Sequence, residues 1–306
     1  MVRSMNGRNG SQGGGILRLQ REEWECANDL RVDVHPPIRC RRRSLALPTG
    51  PIDRNEAPFY PPLMDKRILV LGNSTDRSAY RPVEEWSRTF GDVPFDAVHV
   101  PSGEPIPPLD RYTHLMITGS EATFSRPEPW FDVEADVVRN AVHCGLAVFG
   151  SCFGHQLLAY ALSGPEAVRR ALIPEVGWVA IEIVESDPLF AEMPNPWHAF
   201  SAHLDEACNL PEPWRILARN DACPVQAMRY GDRPVWGIQP HPETSPDEAK
   251  LQMEAGIEQY PHFAEAIRQA LASPVRDDRT APQLMSTFLR HERGDARAPV
   301  KRPHAG

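Results

Sequence analysis

A chain of 306 residues, 41% hydrophobic and 24% charged, has the composition of a globular protein, long enough for one large domain or two modest ones. Its formal net charge of -8 argues against nucleic acid as the main partner, since a polyanion selects a concentrated basic face. There is no run of about 18 apolar residues to span a membrane, and the first twenty residues lack the apolar core of a signal peptide. The six cysteines (Cys26, Cys40, Cys144, Cys152, Cys208, Cys223) show neither a CxxC pair nor regular spacing, so a reducing cytoplasm is expected rather than a disulfide framework.

Residues 1–63 combine a Gly/Ser/Asn-rich start, a short helical pattern around 18–30, a basic cluster at 39–44 and a proline-rich run at 47–62. Such a segment cannot bury enough apolar surface to offset its ordering entropy, and a disordered extension is expected. The folded unit is expected to open at Met64 and run to residue 291, with a polar tail at 292–306. From 67 the elements alternate. RILVLGN reads as a buried strand, VEEWSRTFG as a helix, FDAVHVP and THLMITG as strands, PWFDVEADVVRNAVHCG as an amphipathic helix, LAVFG as a fourth strand and FGHQLLAYALSG as a helix. Strands separated by helices predict βαβ units. From about 172 to 239, GWVAIEIV, WHAFSAH, WRILARN, PVQAMRY and PVWGIQ predict closely spaced, more antiparallel strands. SPDEAKLQMEAGIEQY then predicts a helix with Ser245 as N-cap and Pro246 at its first position, with two more helical stretches behind it. The fold class is therefore α/β, an open and mostly parallel sheet flanked by helices, with a smaller antiparallel region.

Reactive groups in such sheets collect at the carboxyl ends of strands. Cys152 stands there, between LAVFG and a helix, inside Gly150-Ser151-Cys152-Phe153-Gly154. That pattern is the cysteine counterpart of the G-x-S-x-G nucleophile elbow, in which small residues permit a tight turn and the helix N-terminus favours thiolate. The Phe153 N–H would face the same space as an oxyanion donor. A buried structural cysteine in a Gly-rich turn is the alternative. A thiolate that cleaves an amide needs a proton donor for the leaving nitrogen. His241 lies just past an apolar strand, held between Pro240 and Pro242, with Glu243 two residues on to orient it. A strand-terminal surface histidine and a helix N-terminal acid are the bland alternatives. The loop ITGSEATF offers the Gly119 and Ser120 N–H groups toward the same sheet edge.

The ordered set GSCFGHQ, GIQPHPE and TGS, together with EVGW (175–178) and SAHLDEACNLP (201–211), resembles the class I glutamine amidotransferase family of the Cys-His-Glu type over roughly 66–245. The resemblance implies a flavodoxin-like fold with Cys152 as nucleophile, His241 as base and acid, and Glu243 as its orienting acid. It also implies Gly119, Ser120 and Phe153 as oxyanion donors, with Gln156, Ala202 and His203 on the substrate. Pro240 replaces the aromatic residue usual before His-Pro-Glu, and TGS replaces the commoner Gly-Gly-Pro. The implied substrate is glutamine or a γ-glutamyl compound, and the implied ammonia acceptor is a separate synthetase. A stand-alone γ-glutamyl hydrolase or peptidase, and a binding protein with a relic site, are the other readings. No G-x-x-x-x-G-K-S/T or dinucleotide fingerprint is present, and His198, His203 and Cys208 match no zinc spacing, so no cofactor or metal is expected.

Overall fold

A computed structural model describes residues 66–291, all within one compact unit. The expected N-terminal extension, its helical pattern, its basic cluster and the C-terminal tail lie outside the described residues.

β1 (Ile68–Gly72), β3 (His114–Ile117) and β4 (Ala147–Ser151) are buried at every position, which is why they read as unbroken apolar runs rather than as alternating patterns. β2 (Phe95–His99) flanks β1 at the sheet edge, and all of these pairings are parallel. Alternation still sorts the side chains. Leu69, Leu71, Leu115, Ile117 and Val148 meet α2 (Pro129–His143) and α3 (Phe153–Ser163) on one face. Ile68, Val70, Met116 and Phe149 meet Trp86 of α1 (Pro82–Ser87) and Leu284, Met285 and Phe288 of α6 (Ala281–Arg290) on the other. At about 1.5–3 kcal/mol for each fully buried side chain, these two layers hold the parallel half together.

The sheet has nine strands in the order β2-β1-β3-β4-β9-β8-β7-β5-β6. β9 (Val235–Ile238) pairs parallel with β4 and antiparallel with β8 (Ala227–Tyr230). β7 (Trp214–Arg219), β5 (Val168–Ile183) and β6 (Trp197–Ala207) continue antiparallel to the far edge. The expected α/β class is present, and the antiparallel region extends the same sheet. PVWGIQ belongs to both halves: buried on both faces, it is the strand at which the pairing changes sense. β5 begins earlier than GWVAIEIV suggested, because a register shift between Arg170 and Glu175 lets the chain absorb Pro174 and stay paired with β6.

α4 (Pro246–Gln259) opens with the expected Ser245 cap, completed by Glu248 into a reciprocal capping box. α4 and α5 (Ala264–Ala272) pack through Ala249, Met253, Ile267 and Ala270 onto Phe200, covering the β5–β6 ribbon. Among the described residues no helix is long and apolar enough to cross a membrane.

Candidate active site

β4 ends at Ser151 and α3 begins at Phe153, leaving Cys152 alone in the turn at φ 49° and ψ −104°. An L-residue in this region costs about 1–3 kcal/mol, and the surrounding structure must enforce it. A Cβ on Gly150 would run into the Gly154 backbone, and one on Gly154 into the Ile117 carbonyl, so neither flanking glycine tolerates a side chain. The turn is tied down by Cys152 N donating to Ile238 O (2.8 Å) and by the first helical bond, Gln156 N to Cys152 O (3.1 Å). Gln239 Nε2 donates to Cys152 Sγ at 3.5 Å, and the Ala202 carbonyl lies 3.9 Å from the sulfur.

His241 follows β9, the neighbour of β4, so nucleophile and imidazole ride on adjacent strands. Its N–H donates to Phe200 O (2.7 Å), which fixes the backbone against β6. Nδ1 lies 2.9 Å from Glu243 Oε1 and 3.2 Å from the Tyr80 hydroxyl, leaving Nε2 for the cysteine. Burial works against a charged ring here, but Cys152 and Glu243 outweigh it and hold His241 well above the ordinary histidine range. Tyr80 also donates to Glu243 Oε1 (3.4 Å) and meets the imidazole edge-on. Behind them Glu85, 2% exposed, accepts from Thr244 Oγ1 (2.7 Å). Burial first, and then the charge of Glu243, push Glu85 up to about 7.

The remaining expected residues divide into two groups. Gly119 abuts the imidazole, where an added Cβ would meet the Tyr80 hydroxyl and His241 Cε1. Ser120 lines the cavity, its hydroxyl accepting from Ala122 N (3.0 Å). Phe153 is the first residue of α3, and its ring stacks on Phe124 at 5.2 Å. The side chains of Gln156 and His203 are engaged elsewhere. Gln156 Nε2 donates to Asp205 O (2.7 Å) and Gln239 Oε1 (3.2 Å), which makes it a support for the residue touching sulfur. His203 places Nδ1 3.0 Å from Asp205 O and Nε2 2.8 Å from Glu175 Oε2, so both ring nitrogens are engaged by protein groups. Burial would raise Glu175, but His203, Asn220 and Gln226 keep it below its usual value.

Donor atoms of Glu175, His203 and Cys223 lie within 4.8 Å of one another. Glu175 and His203 are already bonded to each other, Glu175 also to Asn220 and Gln226, and burial pushes the Cys223 thiol well up, away from the thiolate a metal would need. His198 stands apart, paired with Asp278 at 3.2 Å, and Cys208 faces Glu166 O.

Sequence reasoning missed Tyr80, Glu85 and the role of Gln239. Gln239 lies inside the QPHPE segment, which was a signal. Tyr80 sits in a polar loop and Glu85 in a charged helix, and neither position carries a pattern. Cys152, His241, Ser120, Gln156 and His203 open onto one cavity of about 160 Å³.

Residues 88–256 match the model of the family described as glutamine amidotransferase class-I, and the chain belongs to that family. A glutamine amidotransferase from Thermotoga maritima shares the fold with TM-score 0.58 at 22% identity, over 74% of this chain and 95% of that one. One from Methylobacillus flagellatus does so with TM-score 0.58 at 19% identity, over 76% and 97%. Among curated relatives, a glutamine-hydrolyzing GMP synthase subunit from Pyrococcus abyssi is 35% identical over 36% of this chain and 57% of its own length. Its counterpart from Archaeoglobus fulgidus is 29% identical over 60% and 91%. The match to the Pyrococcus relative thus spans little more than half of it.

Proposed function

We propose that this protein hydrolyses the γ-amide of glutamine, or of a γ-glutamyl amide, through a thioester on Cys152, releasing glutamate and passing ammonia to a separate acceptor enzyme. The observation that carries this is the strained Cys152 set on the strand beside His241, whose Nδ1 is held by Glu243 at 2.9 Å. Sγ attacks the γ-carbonyl carbon and its proton resides on His241. The Gly119, Ser120 and Phe153 N–H groups receive the oxyanion. His241 delivers the proton to the leaving nitrogen, the C–N bond breaks, and the γ-glutamyl thioester remains. Water then gives a proton to the same imidazole, attacks the carbonyl carbon and expels the sulfur. Ala202 and His203 border the cavity from β6 and shape the place of the substrate's α-end. The glutamine-hydrolysing relatives support glutamine as substrate and a synthetase as partner. Thiol chemistry calls for a reducing compartment such as the cytoplasm.

Cys152→Ala is expected to abolish glutamate release while the far-ultraviolet circular dichroism stays native. A diazo-ketone glutamine analogue should alkylate Cys152 in preference to the other cysteines. Undiminished turnover in Cys152→Ala would remove the nucleophile from the proposal.

A further inference from the structure

Tyr80 enters the Cys152 site from the loop between β1 and α1, yet it takes no part in the steps of the hydrolysis. It is 5% exposed, and its hydroxyl lies 3.2 Å from His241 Nδ1 and 3.4 Å from Glu243 Oε1. Its ring meets the imidazole edge-on, the centres 5.6 Å apart and the planes at 89°. The loop that carries it is tied down. Ser74 Oγ donates to Tyr80 O (2.9 Å) and Tyr80 N donates to Asp76 O (3.2 Å). Glu121, next to Ser120 in the loop after β3, accepts from Thr75 N at 2.7 Å and so joins the two loops.

We infer that Tyr80 is a positioning residue for the hydrolysis: its hydroxyl fixes the Glu243 carboxylate, and Glu243 in turn holds the His241 imidazole toward Cys152. The inference rests on the Cys152 reading above and deepens it. Glu243 Oε2 is buried without a hydrogen-bond partner, and among the described residues only His241 and Tyr80 bond to the carboxyl group. A carboxylate fastened to the imidazole alone would shift with the ring it is meant to orient. The Tyr80 hydroxyl gives it a second fixed point, on a loop from another strand. In the imidazolium that forms during the reaction both ring nitrogens carry protons, so Nδ1 can only donate. The Tyr80 hydroxyl then finds its acceptor in Glu243 Oε1. Burial first, and then the charges of Glu243 and Glu85, hold the phenol well above its ordinary value, so the hydroxyl keeps the proton it donates. Tyr80 also lines the cavity, and a hydroxyl that served the substrate instead would reveal itself in KM.

Glutamate release from glutamine is measured for the full chain as wild type, Tyr80→Phe, Glu243→Ala and the double variant. The limiting rate of Cys152 alkylation by a diazo-ketone glutamine analogue is read by mass spectrometry on the same four, so that slow variants still give a value. Tyr80→Phe keeps the ring and its edge contact and removes only the hydroxyl. Its kcat is expected to fall about tenfold with KM within about twofold of wild type, and its alkylation to slow by a similar factor. In the Glu243→Ala background the same change should alter alkylation by less than about twofold, because the carboxylate through which Tyr80 acts is gone. The kcat and KM of Tyr80→Phe carry the test alone if Glu243→Ala does not fold. Wild-type kcat in Tyr80→Phe overturns the inference. So does a loss carried by KM alone, which makes the hydroxyl a substrate contact, or an equal loss in both backgrounds, which makes its role independent of Glu243. Each of these leaves the Cys152 reading standing. A wild-type chain that neither releases glutamate nor is alkylated at Cys152 overturns that reading, and the inference with it.

Discussion

Gly119→Ala tests whether the imidazole is held by contact as closely as the geometry indicates. Gly119 has no left-handed backbone requirement, so alanine there introduces a methyl group and no backbone strain. That methyl carbon would lie 2.9 Å from His241 Cε1, and nearer still to the Tyr80 hydroxyl, whereas ordinary contact begins at 3.4 Å. The ring must therefore retreat by about 0.5 Å, and it has nowhere to go. Its backbone is bonded to Phe200 and its Nδ1 to Glu243, so retreat lengthens one of these or the approach to sulfur. Because a misplacement of about 1 Å can cost about 100-fold, kcat is expected to fall roughly tenfold with little change in KM. Overpacking of this kind also destabilises by about 1–3 kcal/mol, and each kcal/mol lowers Tm by about 2–4 °C in a domain of this size. Steady-state glutamate release and a thermal melt read the two effects. Adding Tyr80→Phe removes the nearer obstacle and should restore part of the lost Tm. Wild-type kcat in Gly119→Ala would refute the reasoning, because it would mean the loop or the ring has slack.

Cys152→Gly and Cys152→Ala should both be inactive, yet the glycine variant should melt higher by about 2–4 °C, since glycine relieves strain worth about 1 kcal/mol at φ 49° even after its own entropic cost. An alanine variant at least as stable would show that the turn is unstrained. Glu85→Gln should stabilise the protein in a pH-dependent way. The raised Glu85 value means the folded state favours the protonated carboxyl, so that stability is present below pH 4.5 and lost as pH rises through about 7. The gain from glutamine should grow across that window to about 3 kcal/mol, measured by urea unfolding at several pH values. A gain independent of pH would argue that the buried carboxylate is not the cause.

The parallel strands were legible because burial on both faces leaves short apolar runs between glycines. The first half of β5 was not, since Arg169, Arg170 and Pro174 break the pattern and only pairing with β6 makes it a strand. Cys152, His241 and Glu243 were legible because each lies in a local motif with its own chemistry. The hydrogen-bond partners of Gln156 and His203, which are Asp205, Gln239 and Glu175, were not legible because they come close only after folding. Tyr80 and Glu85 reach the site across 161 and 159 positions of sequence, to His241 and Thr244, and no window of residues carries such information.

β9 is bonded to β4 on one side and β8 on the other, so Cys152 and His241, which follow β4 and β9, hang from one backbone ladder at the middle of the sheet. The α4–α5 layer, by contrast, packs over the β5–β6 ribbon through Ala249, Met253, Ile267 and Ala270. A change in that layer leaves the backbone pairing of β4 and β9 intact, so the junction of the two strand ends and the cover over the ribbon are set by separate contacts.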